Sequence, residues 1–216
     1  YIRTASFSGL AEEAGSAYGV AWLCRHRPDL VDVEFELNEG GGGADGFAGK
    51  PAHLFTVATN EKQIAWLRLT AVGKPGHGSI PHEDNSAVHL ARALVRLADW
   101  DRGLTFRPET REYLQRLAAE GLFPSLDDGE AVEAQIRRSP QLHAQFINTL
   151  NITMVNAGIK GNVIPAKSTA TRDCRLLPGQ TVDDWIRQVR ERIDDGRVTV
   201  ERVSHEDEPV PIAWDT

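Results

Sequence analysis

The sequence has few cysteines, no long apolar run and fewer basic than acidic residues. It contains 2 Cys, 24 Lys plus Arg and 31 Asp plus Glu among 216 residues, which gives a formal charge of −7. Cys24 and Cys174 are too few for a disulfide framework or a Cys-based zinc site. No apolar stretch approaches the ~18 residues of a membrane helix, and the acidic balance disfavours nucleic acid, whose phosphates attract clustered basic residues. We therefore expect a reduced, cytoplasmic protein without membrane or nucleic-acid partners.

The chain also lacks an initiating methionine and a signal peptide. It begins at Tyr1, its only methionine is Met154, and no basic segment leads into an apolar one. Hydrophobic residues make up 41% and charged residues 25% of the chain, which is typical of a globular domain. We interpret the chain as the middle part of a longer protein, to which its function would belong.

The hydrophobic pattern alternates between the periods of helices and strands, which predicts an α/β fold. We predict strands at residues 31–37, 52–58, 63–72, 151–156, 168–176 and 198–203. We predict helices at residues 17–27, 86–100, 110–119, 129–150 and 182–193. From residue 64 onward this order is β-α-(insert)-β-β-α-β, which is the plan of a ferredoxin-like domain.

Three carboxylates near the start of the chain have two interpretations each. Glu12 and Glu13 precede a predicted helix, where the helix dipole favours negative charge. Alternatively, one binds a metal ion while its neighbour acts as a general base on metal-bound water. Glu39 continues the spacing of the strand at 31–37, and a carboxylate on its buried side needs a partner such as a metal. If the strand ends earlier, Glu39 lies in water. The glycines that follow predict no phosphate loop, because no Gly-Lys-Ser/Thr motif and no helix follow.

A tight loop after the strand at 63–72 contains His77 between two glycines. Flanking glycines would let the backbone approach a ligand closely. The loop is not a nucleophile elbow, because Ser79 lacks the glycines two positions before and after it. His77 is therefore either an ordinary surface histidine or an electrophile that stabilises an oxyanion.

Two further polar residues, Asn162 and Arg175, are candidates for substrate binding. Arg175 shares a strand face with Asp173, and it either forms a cross-strand ion pair or binds a substrate carboxylate with its planar fork. Both cysteines are most simply explained as small buried hydrophobic residues.

The order and spacing of five short motifs resemble metallopeptidase family 20 (peptidase M20), the group of aminoacylases, carboxypeptidase S, dipeptidases and desuccinylases. The motifs are AEEAGS at 11–16, NEGG at 38–41, GKPGHGS at 73–79, KGNVIP at 160–165 and DCRLLPG at 173–179. The turn after the last motif and the polar insert at about 101–148 are most similar to the carboxypeptidase S and N-acyl-amino-acid hydrolase branch.

The resemblance implies a two-zinc catalytic domain interrupted by a ferredoxin-like βαββαβ lid that usually forms a homodimer. Residues 1–63 would then belong to the first catalytic segment, residues 64–204 to the lid (dimerisation) domain, and residues 205–216 to a return segment. The motif match implies that Glu12 is the general base and that Glu13 and Glu39 are zinc ligands. It implies that His77 polarises the scissile carbonyl in a neighbouring active site.

The same match implies that Asn162 and Arg175 bind the substrate carboxylate. The chain departs from the family at Ala11 and Asn38, where relatives usually or often have Asp, and it lacks the family's remaining metal ligands. We expect the full-length parent to be a zinc amidohydrolase that cleaves peptide or N-acyl bonds next to a free carboxylate, and the chain alone to be inactive. A non-catalytic dimerisation or ligand-binding module is the alternative, followed by an unrelated α/β binding domain.

Overall fold

A computed structural model describes residues 19–32, 42–47 and 49–203 of the chain. The chain divides into two compact units, residues 1–41 and residues 42–216, and each is considered by itself. Glu12, Glu13, Glu39 and the predicted return segment lie outside the described residues.

Two short helices make up the described part of the first unit. Helix α1 covers Val20–His26 and helix α2 covers Pro28–Val31. The predicted strand at 31–37 is therefore wrong at Val31, and its remainder lies outside the described residues. Pro28 ends α1 but also occupies the first turn of α2, where its fixed φ suits a helix and its missing N–H is not needed. Cys24 is exposed, so its predicted burial is wrong.

The second unit contains the remaining elements. Its strands are β1 Gly42–Phe47, β2 Lys50–Thr56, β3 Gln63–Ile64, β4 Leu67–Val72, β5 Gly76–His77, β6 Thr149–Ala157, β7 Val163–Ile164, β8 Lys167–Leu176 and β9 Val198–Arg202. Its helices are α3 Ser86–Ala98, α4 Pro108–Ala119, α5 Gly129–Arg138, α6 Pro140–His143 and α7 Val182–Ile193.

The main sheet is antiparallel, with the order β6-β8-β4-β9 and with β3 paired to the last residues of β8. Strand β8 is therefore central, with β6 on one side and β4 on the other. Helix α3 joins β4 to the insert and α7 joins β8 to β9, so the β-α-β-β-α-β order is present with the insert after its first helix. This arrangement confirms the predicted ferredoxin-like fold.

The sheet has a covered face, which packs against α3 and α7, and an open face on the other side. Burial along β8 alternates with the period of two that a strand imposes. The buried apolar residues of the covered face are Leu67, Leu69, Ala71, Ala170, Cys174, Leu176, Val198 and Val200. Leu90, Leu97 and Val189 of the helices pack on them, and Trp185 stacks on Trp100 at a ring distance of 5.3 Å. Burial of this apolar surface is the main stabilising contribution to the domain.

The insert, formed by α4, α5 and α6, has a separate small core. Its buried members are Leu114, Leu117, Phe123, Val132, Ile136, Leu142 and Phe146. The predicted single helix at 129–150 is wrong, because Ser139 and Pro140 end α5 and start α6, and the last residues begin β6. The Ser139 hydroxyl accepts a hydrogen bond from the Leu142 N–H and so caps the new helix.

A β-hairpin of β1 and β2 packs on the insert through Phe47 and Leu54. The sequence pattern did not predict β1, since two of its residues belong to the glycine run. A Cβ on Gly43 would lie 3.2 Å from the Phe55 ring, so glycine leaves room for that ring. No helix in the described part of the chain is long and apolar enough to cross a membrane.

Candidate functional site

The structure brings His77 and Asn162 together. Strand β5, which contains His77, pairs with β7, which directly follows Asn162, and His77 lies opposite Val163 in this ladder. The Gly78 N–H donates a hydrogen bond of 2.8 Å to the carbonyl oxygen of Asn162. Both side chains are exposed, so a ligand can reach them.

The glycines on either side of His77 serve contacts within the chain. A Cβ on Gly76 would lie 2.9 Å from Nε2 of His82, and a Cβ on Gly78 would lie 3.3 Å from the Asn162 backbone. These glycines thus allow the two loops and the His82 ring to pack closely. Close packing within the chain is therefore one sufficient reason for glycine at both positions.

Hydrogen bonds fix the tautomer of the neutral His77 ring. The Ser79 backbone N–H donates to Nδ1 of His77 at 3.2 Å, and the Ser79 hydroxyl lies 2.8 Å from the same nitrogen. Because Nδ1 accepts a hydrogen bond from an N–H group, the proton of the neutral ring must lie on Nε2. His77 therefore presents an N–H donor on its other side, which is the group that an oxyanion requires.

Arg175 forms an ion pair with Asp173 on the same strand. Its Nε donates to Oδ1 at 2.8 Å and its Nη2 to Oδ2 at 3.1 Å. The two residues belong to the open face of β8, and 41% of the Arg175 side chain remains exposed. The pair is intrastrand, whereas the structural alternative from the sequence was a cross-strand pair. The side chain is therefore partly exposed while its guanidinium is bound to Asp173.

Arg175 and the pair of His77 and Asn162 lie at opposite ends of the sheet. Lys167, at the start of β8, pairs with Val72 beside the two loops, whereas Arg175 pairs with Ile64 near the other end. The strand from Lys167 to Arg175 spans roughly 26 Å at about 3.3 Å per residue. One small substrate therefore cannot touch both groups of one copy. The joint binding of a carboxylate by Asn162 and Arg175 would require two copies.

Lys62 is a charged residue beside Arg175 that the sequence pattern did not single out. Its Nζ donates to the carbonyl oxygens of Ala144 and Ile147 at 2.9 and 2.8 Å, and the side chain is partly buried. Burial, followed by the charges of Arg175 and Arg102, lowers the pKa of Lys62 to about 8. The lysine thus connects the insert to the Arg175 end of the sheet.

The described residues alone do not fit a metal ion. They contain no group of three His, Cys, Asp or Glu side chains that could hold one. The ligands implied by the resemblance, Glu13 and Glu39, lie outside the described residues. A bound metal would therefore depend on residues other than those described.

Comparison with known proteins places this fold in a family. Residues 59–199 match the M20 family model described as Peptidase dimerisation domain. The N-fatty-acyl-amino acid synthase/hydrolase PM20D1 of Mus musculus is 32% identical over 194 residues, 85% of this chain and 38% of that protein. Aminoacylase-1 of Sus scrofa is 30% identical over 169 residues, 77% of this chain and 32% of that protein. The crystal structure of the M20 family metallo-carboxypeptidase Sso-CP2 from Sulfolobus solfataricus also aligns with this chain. The aligned region covers 66% of this chain and 43% of that protein's chain, with 17% identity and a TM-score of 0.42.

The fold and this match together define a dimerisation-type domain of a peptidase. The chain belongs to the M20 peptidase family. It spans about a third of the length of the curated relatives that it matches.

Proposed function

We propose that the full-length protein is a zinc-dependent amidohydrolase that cleaves peptide or N-acyl amino acid bonds next to a free carboxylate. We propose that it acts as a homodimer in which the described domain of each copy contributes to both active sites. The family match supports the hydrolase class. The observation that carries the shared site is the separation of Arg175 from His77 and Asn162 on one sheet.

The edge strand β6 offers the surface for the second copy. Among the described strands, β6 lies at one edge of the main sheet. Ile152, Met154 and Val155, which we call the β6 edge surface, are each about half exposed. An edge strand with exposed apolar side chains favours pairing with another strand. A second copy, which carries the same surface, satisfies this requirement by two-fold pairing.

Antiparallel pairing of β6 with its copy would join the two separated groups. Strand β6 runs from Thr149, opposite Arg175, to Ala157, opposite Ser168 near the two loops. A two-fold axis reverses this direction in the partner. The His77 end of one copy would then face the Arg175 end of the other, which is the arrangement that a composite site requires.

In such a site each described residue has one role. The guanidinium of Arg175 would bind the substrate carboxylate, because a planar fork matches a carboxylate with two hydrogen bonds. From the other copy, the Nε2–H of His77 would donate to the oxyanion that develops on the attacked carbonyl, and Asn162 would hydrogen-bond the substrate beside it.

Three residues of the catalytic segment complete the proposal. Glu12 would accept the proton of the attacking water and pass it to the leaving nitrogen. Glu13 and Glu39 would hold zinc together with ligands outside this chain, and the zinc would supply activation of that water. Arg175 and Asn162 would bind and orient the substrate, and His77 would stabilise the oxyanion that forms when the water attacks.

Complementation between variants tests the composite site. In co-expressed full-length heterodimers, His77→Ala in one copy and Arg175→Ala in the other leave one active site with both residues intact. We expect hydrolysis of an N-acyl amino acid well above that of either homodimeric variant. Heterodimer formation is checked by native mass spectrometry with differently tagged copies.

The matched control pairs His77→Ala with Asn162→Ala. Both residues lie at the same end of the sheet, so each site of this heterodimer carries one damaged residue and activity should stay low. Restoration in the control, or its absence in the first mixture, would overturn the proposed division of the site. A wild-type dimer that hydrolyses no amide would instead support a non-catalytic dimerisation module.

A further inference from the structure

The loops that contain His77 and Asn162 are closed at their base by the start of α3. We call residues 73–85 the His77 loop and residues 158–166 the Asn162 loop. The Lys74 N–H donates to the Asp84 carbonyl at 2.8 Å, and the Gly73 N–H donates to the Ala166 carbonyl at 2.9 Å. A Cβ on Gly73 would lie only 2.6 Å from the Ser86 nitrogen, so there is no space for a side chain at position 73.

Ser86 connects the two loops. It is the first residue of α3, follows the His77 loop and is fully buried. Its hydroxyl donates to the Pro165 carbonyl of the Asn162 loop at 2.7 Å and lies 2.9 Å from the Ser168 hydroxyl. Because a hydroxyl has one proton, Ser168 must be the donor in the second bond. The single proton of Ser86 therefore ties the Asn162 loop to the helix that ends the His77 loop.

Asp84 and His89 hold the other side of the His77 loop. His89 is 1% exposed on α3, and its Nε2 lies 3.2 Å from Oδ1 of Asp84. Its Nδ1 lies 3.6 Å from Oδ2 of Asp195, a carboxylate that Arg197 also binds. Since a carboxylate only accepts hydrogen bonds, the His89 Nε2 must donate to Asp84. The last part of the loop is thus fixed to a buried ring.

We propose that Ser86 and the Asp84–His89 pair are positioning residues that hold His77 and Asn162 in one arrangement. The importance of this arrangement for catalysis rests on the proposed function. The described contacts place none of the three residues on a substrate, so they act through His77 and Asn162 only.

Amide hydrogen exchange of the 216-residue chain tests the positioning without any assay of activity. The Gly78 N–H, which bonds to the Asn162 carbonyl, reports on the contact between the loops. In Ser86→Ala its exchange should accelerate about tenfold or more, because the Pro165 carbonyl loses its buried donor. The Ala65 N–H, bonded to Cys174 far along the sheet, should be unaffected.

Two matched variants serve as controls. Ser168→Ala removes the neighbouring hydroxyl but retains the bond from Ser86 to Pro165, so Gly78 should stay protected. Asp84→Ala should accelerate exchange in the His77 loop, whereas Glu83→Ala, at the adjacent exposed acid, should not. Unchanged Gly78 exchange in Ser86→Ala, or equal acceleration of Gly78 and Ala65, would overturn the proposal.

Kinetics of the full-length protein separate this proposal from the proposed function. Ser86→Ala should lower kcat about tenfold with little change in KM, and it should lose most of that effect in a background that carries both His77→Ala and Asn162→Ala. A full effect in both backgrounds would mean that Ser86 acts independently of His77 and Asn162 and would refute the positioning role. If the wild-type protein hydrolyses no amide, the proposed function fails while the exchange experiment still decides on the positioning.

Discussion

The two faces of the main sheet differ in the exposure of their charged side chains. The open face carries Arg175 beside Asp173, and both side chains remain partly exposed. The covered face carries Arg172, three residues earlier on the same strand, with 1% exposure. Within the described part of the chain, the Arg172 Nη2 donates to the Leu150 carbonyl at 3.3 Å, while its Nε and Nη1 have no hydrogen-bond partner there. The difference shows that polar side chains can reach a ligand on the open face and at the loops, whereas the side chains of the covered face pack against the helices.

Arg172 is the exception within an otherwise apolar layer. Burial, together with the charge of the nearby Arg102, lowers its pKa to about 10, so Arg172 remains charged at neutral pH. Burial likewise raises the pKa of the neighbouring Cys174 thiol to about 11. A buried charge whose hydrogen bonding within the described residues is incomplete opposes folding.

The largest expected effect is the loss of stability caused by a cavity in the core beneath the covered face. Leu69 is fully buried at the centre of β4, so Leu69→Ala should destabilise the chain by about 2–5 kcal/mol in urea unfolding. The neighbouring open-face variant Arg68→Ala should change stability by no more than about 0.5 kcal/mol, because Arg68 is exposed. Equal losses would show that the open face is packed as tightly as the covered one.

The next effect has the opposite sign. Arg172→Met replaces a buried, incompletely bonded charge by an apolar side chain of similar length, and we expect stabilisation by about 1–4 kcal/mol. On the open face, Arg175→Met breaks an exposed ion pair and should cost about 0–1 kcal/mol. Thermal unfolding of both variants measures the contrast. Destabilisation by Arg172→Met would mean that the remaining N–H groups of the guanidinium are hydrogen-bonded in the folded protein in solution.

The last effect concerns the pH dependence of stability and involves Lys62, beside the open-face pair. Its folded pKa of about 8 lies below the ordinary 10.5, so the folded chain releases this proton before the unfolded chain does. Stability contributed by wild-type Lys62, relative to Lys62→Met, should therefore rise as the pH increases from 8 to 10.5. The opposing effect of Cys174 is common to both proteins and cancels.

Urea unfolding at several pH values measures that difference. Lys74→Met, at an exposed lysine, controls for the loss of one lysine side chain. If the free energies of unfolding of wild type and Lys62→Met changed in parallel between pH 8 and 10.5, a protonation change at Lys62 in this range would be refuted.

The sheet and its two long helices could be predicted from the sequence because each has a strong period. The alternation that places Cys174 inside also places Arg172 inside, so this buried arginine could have been recognised. Strand β1 could not, since glycines carry no side-chain pattern. The break between α5 and α6 was missed because the apolar spacing continues across Ser139 and Pro140, although the proline itself is a stop signal.

The candidate residues show a similar division. His77 and Asn162 were identified by motif, but their adjacency depends on a ladder of two residues per strand, which is too short to leave a periodic pattern. The distance to Arg175 follows from the register of β4 on β8, which depends on pairing between segments far apart in the chain. The assignments of Glu12, Glu13 and Glu39 stay predictions.

The unlike edges of the sheet limit how far copies of this domain can assemble. Among the described strands, β9 forms the edge opposite β6, and it is short and ends with Glu201 and Arg202. A short, charged edge resists the addition of another strand. The proposed pairing through β6 would consume the apolar edge of both copies and would leave their β9 edges outside. If copies pair as proposed, growth of the sheet through the described strands would stop after the second copy, which gives a closed dimer instead of an open-ended fibril.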